Sequence, residues 1–294
     1  MSVSYSSNIQ SLRLGFRLKE TASQISSVYE RLSSGARINK GADDPAGLAL
    51  AEKLNAESRM MTVALRNAND GLSVTNMADS ALSEISNILG RMSELAVQAM
   101  SGTPTSTARS ALQAEFAALG SEVSRISASA TFNSVPLLSN SSAQVIQVGI
   151  TADASSQIRI PPVSATLDSL GLGSGDRLTF SLSDTSTEFS ISAAGSAYSA
   201  VQTAMENINL QRGTVGMVSN RLTAAISYLN VAKENTLAAE ANVRDADIAT
   251  DSSELIRLQI LEQVQTSLFA QANQIPSQVL TLIGATSQSN EPLK

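Results

Sequence analysis

Cysteine, histidine and tryptophan are all missing from these 294 residues, and aromatic residues make up only 3%. Without Cys and His, zinc sites built from those ligands cannot form, and thiol nucleophiles and imidazole bases are excluded. No disulfide marks a redox compartment. A core so poor in aromatics must be filled by Ala, Leu, Ile, Val and Met, which suits thin helical packing. No run of about 18 apolar residues occurs, so no membrane insertion is expected. Positive charge is also scarce: 20 Lys and Arg face 26 Asp and Glu, for a net charge of −6 and a pI near 4.8. That balance argues against nucleic acid, whose binding requires a basic patch to release counterions, and against an anionic membrane surface. In the first 30 residues Arg13, Arg17 and Lys19 alternate with single Leu and Phe residues. There is no apolar block and no small-residue cleavage site, so export by a cleaved leader is not expected.

What is present is helical periodicity at both ends. Leu14, Leu18, Thr21, Ile25, Val28 and Leu32 recur at spacings of 4 and 3 and predict a helix over 3–34 with one apolar stripe. Gly35 is its expected stop. Asp44-Pro45 predicts the start of the next helix, because Asp caps free N–H groups and Pro suits the first turn. That helix runs from Ala46 to about Ser101, roughly 80 Å at 1.5 Å per residue. It carries Met61, Leu65, Ala68, Leu72 and Thr75. After a shift of frame come Leu82, Ile85, Leu89, Met92, Ala96 and Ala99, with a bend expected at Gly71 and Gly90. Gly102-Thr103-Pro104 predicts a turn. A returning helix then carries Leu112, Phe116, Leu119, Val123 and Ile126.

Residues 131–195 change character. Val145 to Gly149, Gln157 to Ile160 and Thr179 to Ser192 alternate like strands, with a Gly-rich turn from Leu167 to Gly175. Together they predict a small module of β-hairpins. From Ser196 the helical pattern returns through Val201, Met205, Ile208, Val215, Leu222, Ile226 and Leu229. A last stripe comprises Leu258, Leu261, Gln265, Leu268, Ala272, Ile275, Val279 and Leu282, with Pro276 expected to kink or restart the helix. The fold class is therefore mainly α: a long antiparallel helical rod or coiled-coil bundle built from both chain ends, with a small β-hairpin module in the middle. A lone helix with so narrow a stripe is marginal in water. The ends need partners, either each other or further copies of the chain, and self-assembly follows from the patterning alone.

The segments YERLSSGARINKGADDPAG (29–47), RNANDGLS (66–73), ALSEISNILGRMSELAVQAM (81–100), NRLTAAISYLN (220–230), RDADIAT (244–250) and QILEQVQTSLFAQANQIPSQVLTLI (259–283) resemble the bacterial flagellin family. The resemblance covers roughly residues 1–150 and 196–284, as the short form without large outer domains. It implies a secreted, extracellular structural subunit that polymerises with itself into the flagellar filament for motility, and that is exported unfolded through the type III channel. It implies an inner domain of terminal helices, 1–44 with 244–294, lining the filament channel. Around it lies a helical domain, 45–175 with 196–243, and 176–195 is a short remnant of the variable outer region. The assembly residues expected on the terminal helices are Leu14, Leu18, Ile25, Leu32, Leu258, Leu261, Leu268 and Ile275. Further partners implied are an export chaperone, the cap and hook-junction proteins, and a host innate immune receptor. The residues matching the receptor-contact pattern are Arg91, Leu95 and Glu115, taken as one exposed face of two antiparallel helices. Two departures stand out: Arg244 occupies a position that is often acidic in the family, and the chain continues past Ile283 as GATSQSNEPLK.

Other motifs carry little chemistry. Asp43 and Asp44 could form an acid–base pair, but capping before Pro45 explains them better. Asp245, Asp247, Asp251 and Glu254 loosely follow a calcium loop, yet lack its sixth-position Gly and fifth-position oxygen ligand. Gly171, Gly173 and Gly175 do not have phosphate-loop spacing. Asn140-Ser141-Ser142 is a glycosylation triplet. No cofactor and no metal are expected. An enzyme is rejected for want of His, Cys or a convincing carboxylate site, and an adhesin for want of an exposed domain. A hook–filament junction protein is the alternative within the flagellum.

Overall fold

The computed structural model describes residues 8–139, 142–174, 177–182 and 187–288. It contains helices α1 (Ile9–Ser34), α2 (Pro45–Met100), α3 (Ser106–Ser129), α4 (Thr187–Arg244) and α5 (Ile248–Gln288). Short strands β1 (Thr131–Phe132), β2 (Val135–Pro136), β3 (Gln144–Gln147), β4 (Gln157–Ile160), β5 (Gly173–Ser174) and β6 (Arg177–Leu178) form three separate antiparallel pairs, β1–β2, β3–β4 and β5–β6. The chain divides into two compact units, residues 1–56 with 236–294 and residues 57–235, so α2 and α4 each contribute to both.

The expected helix signals operate locally. Gly35 adopts φ 70° and donates its N–H to Arg31 O, ending α1 in a left-handed conformation that glycine enters without strain. The Asp44 carboxylate accepts from the N–H groups of Ala46 and Gly47 at 3.1 and 3.0 Å and starts α2. Thr105 caps α3 by accepting from Ala108 N.

In the unit of residues 57–235, one row of buried positions on α2 comprises Met61, Ala64, Ala68, Gly71, Thr75, Ala78, Leu82, Ile85, Leu89, Met92, Ala96 and Ala99, with Ser58, Val74, Ile88 and Leu95 also buried beside it. The spacing of that row alternates 3 and 4 throughout, so the expected shift of frame does not occur, and α2 is helical without interruption through Gly71 and Gly90. The expected frame relied on Leu65 and Leu72, which are half-buried, because small residues on the true seam carry little hydrophobic signal. Gly71 is there for close approach: a Cβ would lie 3.1 Å from Ile146 of β3 and 3.4 Å from Leu222 of α4. The β3–β4 hairpin matches expectation, pairing Gln144 with Ile160 and Gln147 with Gln157. Asn67 Nδ2 of α2 donates to Gln147 O at 3.2 Å and holds the hairpin to the helix.

The expectation that strand-like structure runs through Ser192 is corrected: α4 begins at Thr187 and takes in residues 187–195. Ser190, Ala194, Ala197, Val201, Ala204 and Ile208 are buried at helical spacing, so the stripe of α4 extends upstream of where it was expected. Short apolar alternations fit either period, and here small Ala and Ser residues on the buried face concealed the helical one. The main core joins these helices to the loop residues Leu138, Leu167, Leu170 and Leu172, with Phe116 of α3 fully buried.

In the unit of residues 1–56 and 236–294, α1 and α5 pack antiparallel: Arg31 near the end of α1 meets Asp251 near the start of α5, and Asn8 before α1 meets Ala272 far along α5. Helix α5 remains continuous through Pro276. The helix expected over residues 3–7, Asn140 and Ser141 of the glycosylation triplet, Gly175, and residues 289–294 of the terminal tail lie outside the described residues.

Candidate functional site

The α1–α5 seam is built from two chemistries. At the connector end Ile25, Val28 and Leu258 are buried together, with Leu32 and Leu255 packed against them. Arg31 clamps this end with Nη2 2.7 Å and Nε 3.2 Å from Asp251 Oδ1. That hydrogen bond, against a smaller desolvation cost, raises the Arg31 pKa above its ordinary value. Toward the start of α1 the seam becomes small and polar. Thr21 and Ser11 are buried, Asn8 Nδ2 donates to Ala272 O at 2.7 Å, and Ser11 Oγ donates to Asn273 Oδ1 at 2.6 Å. The residues of α5 turned to α1 include Asp251, Leu255, Leu258, Gln259, Glu262, Gln265, Phe269, Ala272 and Asn273.

Of the expected assembly residues, the structure brings Ile25, Leu32 and Leu258 together, and leaves Leu14 and Leu18 half-buried. Leu261, Leu268 and Ile275 are 36%, 44% and 48% exposed. They lie seven residues apart on a different face of α5, beside the exposed Ile256, Ile260 and Val264. The expected stripe thus merged two faces: Leu258 and Ala272 belong to the seam, and Leu261, Leu268 and Ile275 point away from it. The side chains of Val279 and Leu282 lie outside the described residues. Sequence reading placed Thr21 on the stripe of α1 but missed Asn8 and Ser11. The signal for Ser11 was that it falls on the heptad of Leu14, Leu18, Ile25 and Leu32.

The acidic residues between the helices serve the backbone. Asp43 Oδ2 accepts from Asn39 N and Lys40 N at 3.0 Å each, and those two bonds, Lys40 first, hold its carboxyl below the usual carboxylate range. Asp247 caps α5 by accepting from Thr250 Oγ1 at 2.8 Å, Thr250 N at 3.2 Å and Ala249 N at 3.0 Å. The Thr250 hydroxyl is the main cause of its lowered pKa. Ala36 pairs with Asp245 as an isolated bridge, and Arg37 N donates to Arg244 O at 2.6 Å. Arg244, the departure noted above, sits 3.3 Å from Glu52. No group of three or more Asp or Glu suited to a metal ion exists among the described residues.

Of the receptor-pattern residues, Arg91 and Glu115 meet across α2 and α3, with Arg91 Nη2 2.8 Å from Glu115 Oε1. Arg91 also pairs with Glu94 at 2.9 Å. Leu95 does not join them. The expectation of one exposed face presenting all three is corrected, because Leu95 is only 1% exposed and belongs to the main core. It lies beside the α2 seam residues Met92, Ala96 and Ala99 in the main core.

Comparison with known proteins covers most of the chain. Residues 5–143 match the family described as the bacterial flagellin N-terminal helical region, and residues 198–283 the bacterial flagellin C-terminal helical region. The flagellin of Bacillus subtilis is 35% identical over 94% of this chain and 98% of its own length. That of Halalkalibacterium halodurans is 36% identical over 86% of this chain and 90% of its own length. The solved structure of a provisionally assigned flagellar hook-associated protein from Vibrio parahaemolyticus superposes with a TM-score of 0.58 over 69% of this chain and 100% of that one. At 14% identity this is a likeness of fold alone.

Proposed function

We proceed from the fact that this chain belongs to the bacterial flagellin family, and we propose that copies of it join through the exposed apolar face of α5. The protein is a structural subunit that polymerises with itself into the extracellular flagellar filament, and no helix among its described residues is long and apolar enough to cross a membrane. The observation that carries the proposal is the offset on α5. The face turned to α1 includes Glu262 and Gln265, whereas the face bearing Leu261, Leu268 and Ile275 is the more apolar one and stays exposed. Exposed apolar area of that extent on a helix marks a surface meant for another chain. Ile25, Leu32 and Leu258, with Leu14 and Leu18 beside them, hold the two terminal helices in the pose that presents it.

In this reading residues 1–44 and 244–294 form the inner domain lining the filament channel, residues 45–175 and 196–243 the surrounding helical domain, and 176–195 the remnant of an outer insertion. The work is assembly rather than catalysis. Export chaperone, cap and hook-junction proteins are its partners before and during growth. The hook–filament junction alternative is set aside: the relatives near 35% identity are flagellins, and the hook-associated likeness is one of fold. Negative-stain electron microscopy after salt-induced polymerisation tests the reading. Long filaments are expected, and short collars alone would overturn it.

A host innate immune receptor is proposed to meet the Arg91–Glu115 pair, with buried Leu95 taking no direct part. Arg91→Asp in free monomer is expected to reduce receptor activation. Unchanged signalling removes the assignment.

A further inference from the structure

A cavity of about 520 Å³ opens between α4 and the loop that joins β3 to β4. Met61 of α2 and Leu229 of α4 line it, and both belong to a small buried cluster separate from the main core. Ile158 of β4 and Ile150 of the loop add apolar walls. On the α4 side the lining includes Ala224 and Ala225, whose side chains are too short to fill the gap. The loop side is braced by its own hydrogen bonds. Gln147 Nε2 donates to Gly149 O at 2.9 Å and to Thr151 O at 2.6 Å, and Val148 N donates to Ser156 O at 2.9 Å. Gly149 permits this tight return, since a Cβ there would lie 2.5 Å from Ser156 Oγ. A loop so braced keeps its shape, so the cavity is preformed rather than opened by its ligand. Two polar groups stand at its rim. Arg221 and Tyr228 lie seven residues apart on α4, two turns along one face. Both are exposed, Tyr228 at 72%, and neither has a side-chain hydrogen bond or ion pair among the described residues. Arg221 is the one charged residue among the described residues that line the cavity.

We infer that this cavity binds an anionic amphiphile with a single hydrocarbon chain, its head on Arg221 and its chain along Met61, Ile158 and Leu229. The volume lies within the roughly 300–1,000 Å³ usual for small-ligand sites, and an apolar lining with a few polar groups is their usual chemistry. The unpaired guanidinium selects the sign of the head. It is a permanent cation whose planar fork matches a carboxylate or a similar oxyanion. The Tyr228 hydroxyl adds a hydrogen-bond donor at the same rim. A neutral head gains no charge pairing from Arg221, and a cationic head is repelled by it. The hydrocarbon chain gains by leaving water for the wall between the hairpin and α4. The site lies wholly within the unit of residues 57–235, so it depends neither on the terminal helices nor on filament growth.

Isothermal titration calorimetry of the full chain with decanoate, below its micelle concentration, tests the inference beside decanol and decyltrimethylammonium. Saturable one-to-one binding of decanoate is expected, with helix content by circular dichroism unchanged. Arg221→Gln is expected to weaken decanoate about tenfold, the scale of one hydrogen bond to a charged group, and to leave decanol as it was. Ala224→Leu sits at an exposed helical position, so the chain keeps its fold while the larger side chain fills the opening. It is expected to abolish binding of both. Arg66→Gln removes an exposed arginine that does not line the cavity and is expected to change neither. Decanoate binding that Arg221→Gln leaves intact would overturn the inference, and so would equal affinity for the cationic amphiphile. Binding that survives Ala224→Leu would place the ligand elsewhere and overturn it too. Uptake of many molecules with loss of helix would be detergent unfolding, and that outcome or the absence of saturable binding would also overturn it.

Discussion

Leu261→Ser combined with Leu268→Ser is expected to abolish filament growth while leaving the monomer as stable as before. Both side chains are substantially exposed in the isolated chain and neither lies on the α1–α5 seam, so little is lost within one molecule. Between copies the account differs. Burying a leucine is worth roughly 1.5–3 kcal/mol, and two at a repeating contact amount to about 3–6 kcal/mol. At about 1.4 kcal/mol per factor of ten, the critical concentration rises at least a hundredfold. Ile25→Ala is the contrasting change. It opens the buried cluster of Ile25, Val28 and Leu258, and large-to-small changes in such sites cost about 2–5 kcal/mol. It should therefore loosen the terminal helices in the monomer itself. Electron microscopy and circular dichroism on the same preparations separate the two effects. Normal filaments from the double serine variant would show that copies meet through some other face of α5.

The second large effect is expected from Arg109→Met. Arg109 is 4% exposed and has no acidic partner among the described residues. Its guanidinium instead donates from Nη1 to Ala99 O and from Nη2 to Ser101 O, at the end of α2 where carbonyls run out of intrahelical partners. A cation there also meets the negative end of the helix dipole. Methionine fills similar volume but leaves both carbonyls without a donor; Ser101 is exposed to water, whereas Ala99 is buried, and a buried unsatisfied acceptor costs about 1–3 kcal/mol. A loss of about 1–3 kcal/mol is expected in the chemical denaturation of the unit of residues 57–235. An unchanged midpoint would mean that water reaches these carbonyls and that the arginine is dispensable. Nothing in the sequence marks Arg109 as buried, since an arginine in the first turn of a helix ordinarily reads as solvated surface.

That residue illustrates a general division. Signals acting within a few residues were legible. Gly35 stops α1 because only its backbone relaxes into the left-handed region without strain, Asp44 starts α2 because its carboxylate reaches the first free N–H groups, and β3 and β4 pair where their alternation indicated. Signals depending on what lies opposite were not. The unbroken seam of α2 runs through Ala64, Ala68, Gly71 and Ala78, which are buried because α4 and β3 come close, and small residues advertise no burial. The start of α4 at Thr187 was hidden for the same reason.

By itself the sequence determined the mainly helical class, the stops and caps, the family, and the need of both chain ends for partners, since each follows from local geometry or from residue order. The tertiary structure alone decided which face of α5 meets α1, that Leu95 belongs to the core, and that Arg109 closes α2. Periodicity states that a helix has an apolar face. Where a helix carries two such faces, as α5 does, or a seam of serine, threonine and glycine, as α1 does, only the neighbouring backbone selects which is covered. Here hydrogen bonds from Asn8 and Ser11 and the Arg31–Asp251 clamp make that selection, and they leave the more apolar face of α5 exposed.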